Sequence, residues 1–236
     1  MRDHNKAFCR LVAGAFDCPG PVYEFGSFQV EGQVDYADLR SLFPDKPYIG
    51  CDMRPGPGVD RVEDVSALTL PDASAGTILC VETFEHVFEV RRAFDEVFRV
   101  LRPGGVFVLT SPFHFRIHAY PDDYWRMTPA CLRRMLEPYA VRVVGAQGHA
   151  KAPHTVMSLA IKAPACEQAI GRAERLVQSY QAWLDEVRTS ISFSEKARKV
   201  LAELYRSKGE RHQLRDYHRA AFTIDAPQAP ALARVG

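Results

Sequence analysis

The chain has 236 residues, 47% apolar and 25% charged, close to globular averages, which excludes wholesale disorder. Thirty basic against 29 acidic side chains leave a net charge of +1, so the chain as a whole has no electrostatic footprint for non-specific nucleic-acid or acidic-membrane binding. No run of about 18 apolar residues is present to span a bilayer, and six cysteines (Cys9, Cys18, Cys51, Cys80, Cys131, Cys166) lie scattered without a CxxC pair. They read as free thiols of a reducing, cytoplasmic compartment, and Met1 to Lys6 lacks the apolar stretch of a secretion signal. The length predicts one α/β core plus an appendage.

In chain order, Pro21 to Phe25 reads as a first strand running into Gly26. Tyr36, Leu39, Leu42 and Phe43, spaced at three and four, predict a helix stopped by Pro44. Pro47 to Asp52 reads as a second strand, followed by Arg54-Pro-Gly-Pro-Gly58, where two prolines and two glycines argue against a helix. Val59 to Val62 is short enough for an edge strand, and the β-branched Thr77 to Val81 is a stronger one. Val87, Val90, Phe94, Val97, Phe98 and Leu101 form a helical stripe ended by Arg102-Pro-Gly-Gly105, and Val106 to Thr110 is the next buried strand.

Residues 111–127 form an aromatic, His-rich loop, after which Thr128-Pro129 predicts an N-cap and a helix to about Leu136. Val141 to Val144 and Val156 to Ile161 follow with no helix between them, an antiparallel hairpin. The alternation over residues 34–145 predicts a parallel sheet wrapped on both sides. After Pro164 the pattern turns helical: Ile170, Leu176, Tyr180, Trp183 and Leu184 fit one amphipathic helix, and Ser192-Phe-Ser-Glu195 a capping box for a second. Residues 1–163 are therefore expected to form the core and 164–236 a helical extension, whose apolar face has two uses: packing back on the core or forming a homodimer.

The chemistry-bearing residues concentrate at strand ends, the rim where open parallel sheets bind ligands. Glu24-Phe-Gly26, Asp52, Asp64 and Glu82 each follow a predicted strand, and a carboxylate at the tip of the second strand suits a ribose diol, accepting two hydrogen bonds without a metal. Five blocks stand in this order: Val22-Tyr-Glu-Phe-Gly-Ser27, Tyr48-Ile-Gly-Cys-Asp52, Val62-Glu-Asp64 with Leu70-Pro-Asp72, Glu82-Thr-Phe-Glu-His86 and Val100-Leu-Arg-Pro-Gly-Gly105. Together, over about Val22 to Pro129, they resemble a class I S-adenosylmethionine-dependent methyltransferase of the UbiE-like, type 11 group.

The resemblance implies a doubly wound, Rossmann-like seven-stranded sheet of order 3-2-1-4-5-7-6 with the last strand antiparallel, and S-adenosylmethionine as cofactor. It implies that Glu24, Gly26 and Ser27 line the methionine end, that Asp52 holds the ribose, and that Met53 packs on the adenine. Asp64 and Val65 would meet the adenine edge, and the Glu82 carbonyl would face the methionine amino group. The chain departs from the family where Phe28 and Val30 replace two glycines and where no helix follows Asp52.

In the loop after the fifth strand, His118 and His114 are candidate proton acceptors, since imidazole titrates near neutrality. Tyr120, Tyr124 and Trp125 are candidate pocket walls, Asp123 and Arg126 a pair that pins the loop, and Glu85 and His86 helix-start and packing residues. A metal set of His114, His118, Asp122 and Asp123 fits no established spacing, so no metal is expected. Neither an Asn-Pro-Pro-aromatic tetrad nor a Pro-Cys dipeptide is present, features tied to nucleobase amino and cytosine-C5 methylation. The expected acceptor is thus the hydroxyl of a small molecule or saccharide, with neither nucleic acid nor membrane as partner. Two rival readings are a binding protein on a degenerate methyltransferase fold and a nicotinamide-dependent oxidoreductase, the latter lacking its GxGxxG turn.

Overall fold

The computed structural model describes residues 2–32, 36–118, 122–190 and 216–226. Its elements are α1 (Asp3–Ala15), β1 (Val22–Phe25), β2 (Tyr48–Asp52), β3 (Arg61–Val62), β4 (Ala75–Val81), α2 (Val90–Val100), β5 (Leu101–Pro112), α3 (Pro129–Met135), β6 (Val141–His149), β7 (Ala152–Ile161), α4 (Ala169–Ser190) and β8 (Ala220–Asp225). They build one sheet of order β3-β2-β1-β4-β5-β7-β6-β8. Strands β1 to β5 pair in parallel, and β7 lies antiparallel between β5 and β6.

Period-two alternation divides the central strands between two apolar layers. Ile78, Cys80, Phe107 and Leu109 face α2 and α3, whereas Leu79, Val81, Val106 and Val108 face α1 and α4. Thr128 caps α3 as the sequence predicts, its side chain accepting from the Cys131 N–H at 3.1 Å with Pro129 behind it. All six cysteines are free thiols, and Cys9, Cys18, Cys51 and Cys80 are buried. Among the described residues no helix is long and apolar enough to cross a membrane.

Two expectations need correction, and one segment without a predicted element proves helical. The helix expected over Tyr36 to Phe43 is a single 3-10 turn at Arg40–Leu42, because Pro44 disfavours a helical Phe43 and the Arg40 guanidinium is drawn to the Gly58 carbonyl and Asp60. The N-terminal segment, not assigned structure from sequence, forms α1, which buries Phe8, Cys9 and Val12 at helical spacing. The C-terminal extension is not helical throughout: β8 pairs antiparallel with β6 as an eighth strand, and Phe222 stacks on Phe8 at 6.3 Å. The capping box at Ser192 lies outside the described residues.

Of the two uses offered for the apolar face of α4, Tyr180 and Leu184 serve the first: both are fully buried against α1 and the sheet. Tyr180 meets Phe8 edge-on at 5.8 Å and Phe222 at 5.5 Å, and its hydroxyl donates to Gln147. Tyr180→Ala is expected to cost about 3–5 kcal/mol, the usual range for a buried aromatic cut to alanine. Urea denaturation of the two proteins measures it, and a loss within experimental error would show that α4 is not integral to the core.

Candidate active site

The sheet order reverses between β1 and β4, and the carboxyl ends of these strands open on a cavity of about 600 Å³. The tips of β1 and β4 approach so closely that only glycine fits at position 26. Its φ is +87°, and a Cβ there would lie 2.2 Å from Thr83 Oγ1. Thr83 in turn donates to the Phe25 carbonyl at 2.9 Å, tying the two tips together.

Glu24, Asp52, Asp64 and Glu82, the acidic residues at the strand ends, all line this cavity, in different states. Glu24 is buried beside the Tyr48 hydroxyl, which donates to it at 2.7 Å, and burial pushes its carboxyl up to about 7. Asp52 accepts from the Arg54 backbone N–H at 3.0 Å, with a side chain only 12% exposed. Asp64 is exposed and accepts from the Ser66 N–H and hydroxyl at 2.8 and 2.7 Å. Glu82 sits at φ +52°, a left-handed conformation uncommon outside glycine. Its carboxylate is held by Arg2, which also donates to the His154 carbonyl at 3.3 Å and lies over the Phe115 ring. Sequence reading missed Arg2, which stands 80 positions away from its partner. Gly26, Ser27, Met53 and Val65 complete the predicted set on the cavity wall, the Ser27 hydroxyl buried without a hydrogen-bond partner.

The opposite wall comes from the loop after β5 and the 3-10 turn Phe84–His86. His118 lines the cavity, and its Nδ1 meets Asp123 Oδ2 at 2.9 Å. Asp123 also accepts two hydrogen bonds from Arg126, which hold its carboxyl well below the usual range, so the expected loop pin is formed. Tyr124 lines the cavity with its ring edge-on to Phe88. Trp125 is not among the lining residues. Its indole N–H donates to the Val87 carbonyl at 2.9 Å, and the backbone N–H groups of Tyr124 and Trp125 both reach the Glu85 carbonyl. His114 is exposed and does not line the cavity, and Tyr120 lies outside the described residues.

Glu85 and His86, read from sequence as packing residues, stand at this wall. The Glu85 side chain is fully buried, and burial pushes its carboxyl up to about 8. His86 lines the cavity, and burial lowers its pKa.

Residues 44–109 match the family described as a methyltransferase domain. A stretch of 57 residues, 24% of this chain, is 42% identical to a protein of Mycolicibacterium smegmatis described as a probable S-adenosylmethionine-dependent methyltransferase. The matched stretch is 22% of that relative's length. The fold is similar to that of a SAM-dependent methyltransferase from Archaeoglobus fulgidus, with a TM-score of 0.52 at 14% identity, covering 66% of this chain and 92% of the other. It is also similar to the CurJ carbon methyltransferase, with a TM-score of 0.50 at 15% identity over 67% of this chain and 54% of that one. Residues 44–109 thus resemble part of an S-adenosylmethionine-dependent methyltransferase domain.

S-adenosylmethionine is the cofactor in the description of the Mycolicibacterium smegmatis relative, and the residues lining this cavity suit such a group. The cavity has the glycine cradle at Gly26, carboxylates at the β2 and β4 tips, and the unpartnered Ser27 hydroxyl. The two departures from the family pattern prove to be one structural unit. The Phe28 ring lies against Gly56, where a Cβ would come within 2.3 Å of it, and the Arg54 guanidinium stacks over the same ring at 4.6 Å. Gln29 N–H then donates to the Pro57 carbonyl at 2.9 Å. The glycine and proline turn that replaces a helix after Asp52 thereby makes room for the side chain that replaces a glycine after β1.

Proposed function

We propose that this protein transfers the methyl group of S-adenosylmethionine to a hydroxyl of a small-molecule or saccharide acceptor. The observation that carries the reading is a single cavity with Gly26 and Asp52 on one wall and the His118–Asp123 pair on the other. The cofactor, when bound, supplies an electrophilic methyl on a sulfonium sulfur that leaves as a neutral thioether. On this reading Asp52 holds the ribose hydroxyls, Met53 and Val65 flank the adenine, and Asp64 accepts from its amino group. Glu24, Gly26, Ser27 and Glu82 surround the methionine end. His118 takes the proton of the acceptor hydroxyl, and Asp123, accepting at Nδ1, fixes the ring. Tyr124 and Phe88 wall the acceptor side. Positioning contributes most of the acceleration, since displacement at a methyl needs the acceptor oxygen in line with the leaving sulfur. An assay with methyl-labelled cofactor against a panel of sugars, phenols and amines tests the reading. Label appearing on hydroxyl acceptors is expected, and transfer to amines alone would overturn it.

The Glu24 carboxyl adds a pH signature. It is half neutral near pH 7 in the free protein, and the cationic amino group of the cofactor's methionine favours its ionised form. Affinity for the cofactor is therefore expected to rise as the pH climbs from 6 to 8 and Glu24 loses its proton, and to level off above that. Calorimetry across this range measures the slope, which Glu24→Gln should flatten. An unchanged slope in that variant would remove Glu24 from the cofactor's surroundings.

A further inference from the structure

Three metal-binding side chains converge at the acceptor wall. Glu85, His86 and His118 each offer a ligand atom, and the three atoms lie within 4.8 Å of one another. Glu85 Oε1 is buried without a hydrogen-bond partner, 3.8 Å from His86 Nε2, while Oε2 accepts from the Ser111 hydroxyl at 3.3 Å. An unpaired carboxyl oxygen in a buried site is costly unless a proton or a cation satisfies it.

The two imidazoles are held in the orientation that metal ligation uses. His86 Nδ1 lies 2.5 Å from the Asp122 carbonyl oxygen. A carbonyl can only accept, so Nδ1 carries the proton and Nε2, toward Glu85, is the basic nitrogen. His118 Nδ1 meets the Asp123 carboxylate, itself kept ionised by Arg126, so this ring too donates from Nδ1. Histidines anchored by Nδ1–H on a carbonyl or carboxylate are the usual outer partners of metal sites.

We propose that Glu85, His86 and His118 form a two-histidine, one-carboxylate site for a divalent first-row transition metal at the edge of the cavity. Zinc ligands at about 2.0–2.2 Å in a tetrahedron stand roughly 3.4 Å apart, so side-chain shifts on the order of 1 Å close the site. His86 and His118 both line the cavity, which leaves the remaining coordination position on the side of the acceptor. The site differs from the set considered from sequence, sharing only His118 with it.

The role of the cation rests on the methyl-transfer reading. A hydroxyl bound to it loses its proton to solvent, the O–H bond breaking as the oxygen gains negative charge, and that oxygen then bonds to the methyl carbon as the carbon–sulfur bond breaks. With metal bound, His118 is a ligand and no longer the proton acceptor.

The full chain, stripped with a chelator, is titrated with Zn²⁺ by calorimetry and with Co²⁺ by visible absorption. One tight equivalent with tetrahedral Co²⁺ bands is expected, weakened at least about tenfold in Glu85→Gln and in His86→Asn, since each removes a ligand. The near-isosteric Glu85→Gln keeps the Ser111 contact and guards against a folding artefact, with circular dichroism as control. Absence of a stoichiometric equivalent, or affinity unchanged in both variants, overturns the site. Zinc that binds but leaves the methyl-transfer rate unchanged overturns its catalytic role while methyl transfer stands. Tight binding in a protein that methylates no acceptor overturns the functional reading and not the metal site.

Discussion

Asp52→Ala is expected to weaken S-adenosylmethionine binding by about 10²–10⁴-fold. Hydrogen bonds to a charged group contribute about 1.5–3 kcal/mol each, and a carboxylate at the end of β2 has the reach to take both ribose hydroxyls. Asp52 is suited to this by its surroundings: its side chain is 12% exposed, and the Arg54 backbone N–H fixes one oxygen at 3.0 Å. The effect should fall on the binding constant rather than on folding, because the carboxylate lies on the cavity rim and not in either apolar layer. Calorimetric titration against the wild type measures it, with a thermal melt to confirm the fold. Wild-type affinity in Asp52→Ala would remove the ribose assignment and with it the placement of Met53 and Asp64 around the adenine.

His118→Ala is expected to lower kcat by about 10²–10⁴-fold, the range typical of a positioned acid or base, with cofactor affinity unchanged. Asp123→Asn should lower kcat in the same direction, since an amide at this position does not hold Nδ1–H as a carboxylate does. That variant also leaves Arg126 without its charge partner, so its stability must be read separately from its rate. Steady-state kinetics over a range of pH provide the measurement. A KM effect without a kcat effect in His118→Ala would make His118 a binding residue and leave the proton transfer to another group.

Much of the site was legible because the pattern that carries it is local. A parallel strand followed by a turn brings every strand's carboxyl end to one rim, so the order of Glu24, Asp52, Asp64 and Glu82 could be read as one wall before any contact was known. The Asp123–Arg126 pair was legible for the same reason, its partners lying three residues apart. The surroundings of Glu85 and His86 depend on what covers them. Nothing in the local sequence shows that Ser111 and Asp122 close over the turn. Trp125 was placed in the pocket on its residue type, whereas its N–H is spent on the Val87 carbonyl as a strut for the loop. In β8 the alternating Phe222 and Ile224 are visible in the sequence, but they fall within the extension expected to be helical.

The sequence by itself determined the layered α/β architecture and the carboxylate-bearing tips, since these follow from side-chain periodicity and turn chemistry along neighbouring residues, whereas the order of seven strands came from the family resemblance, to which the structure adds β8. Only the tertiary structure decided that Arg2 clamps Glu82 from the far end of the chain, that α4 and β8 complete the second apolar layer, and that Glu85, His86 and His118 meet. Those features arise from burial and long-range approach, where desolvation sets the charge state of a carboxyl and the fold supplies its partners, and neither quantity is written in any short stretch of the chain.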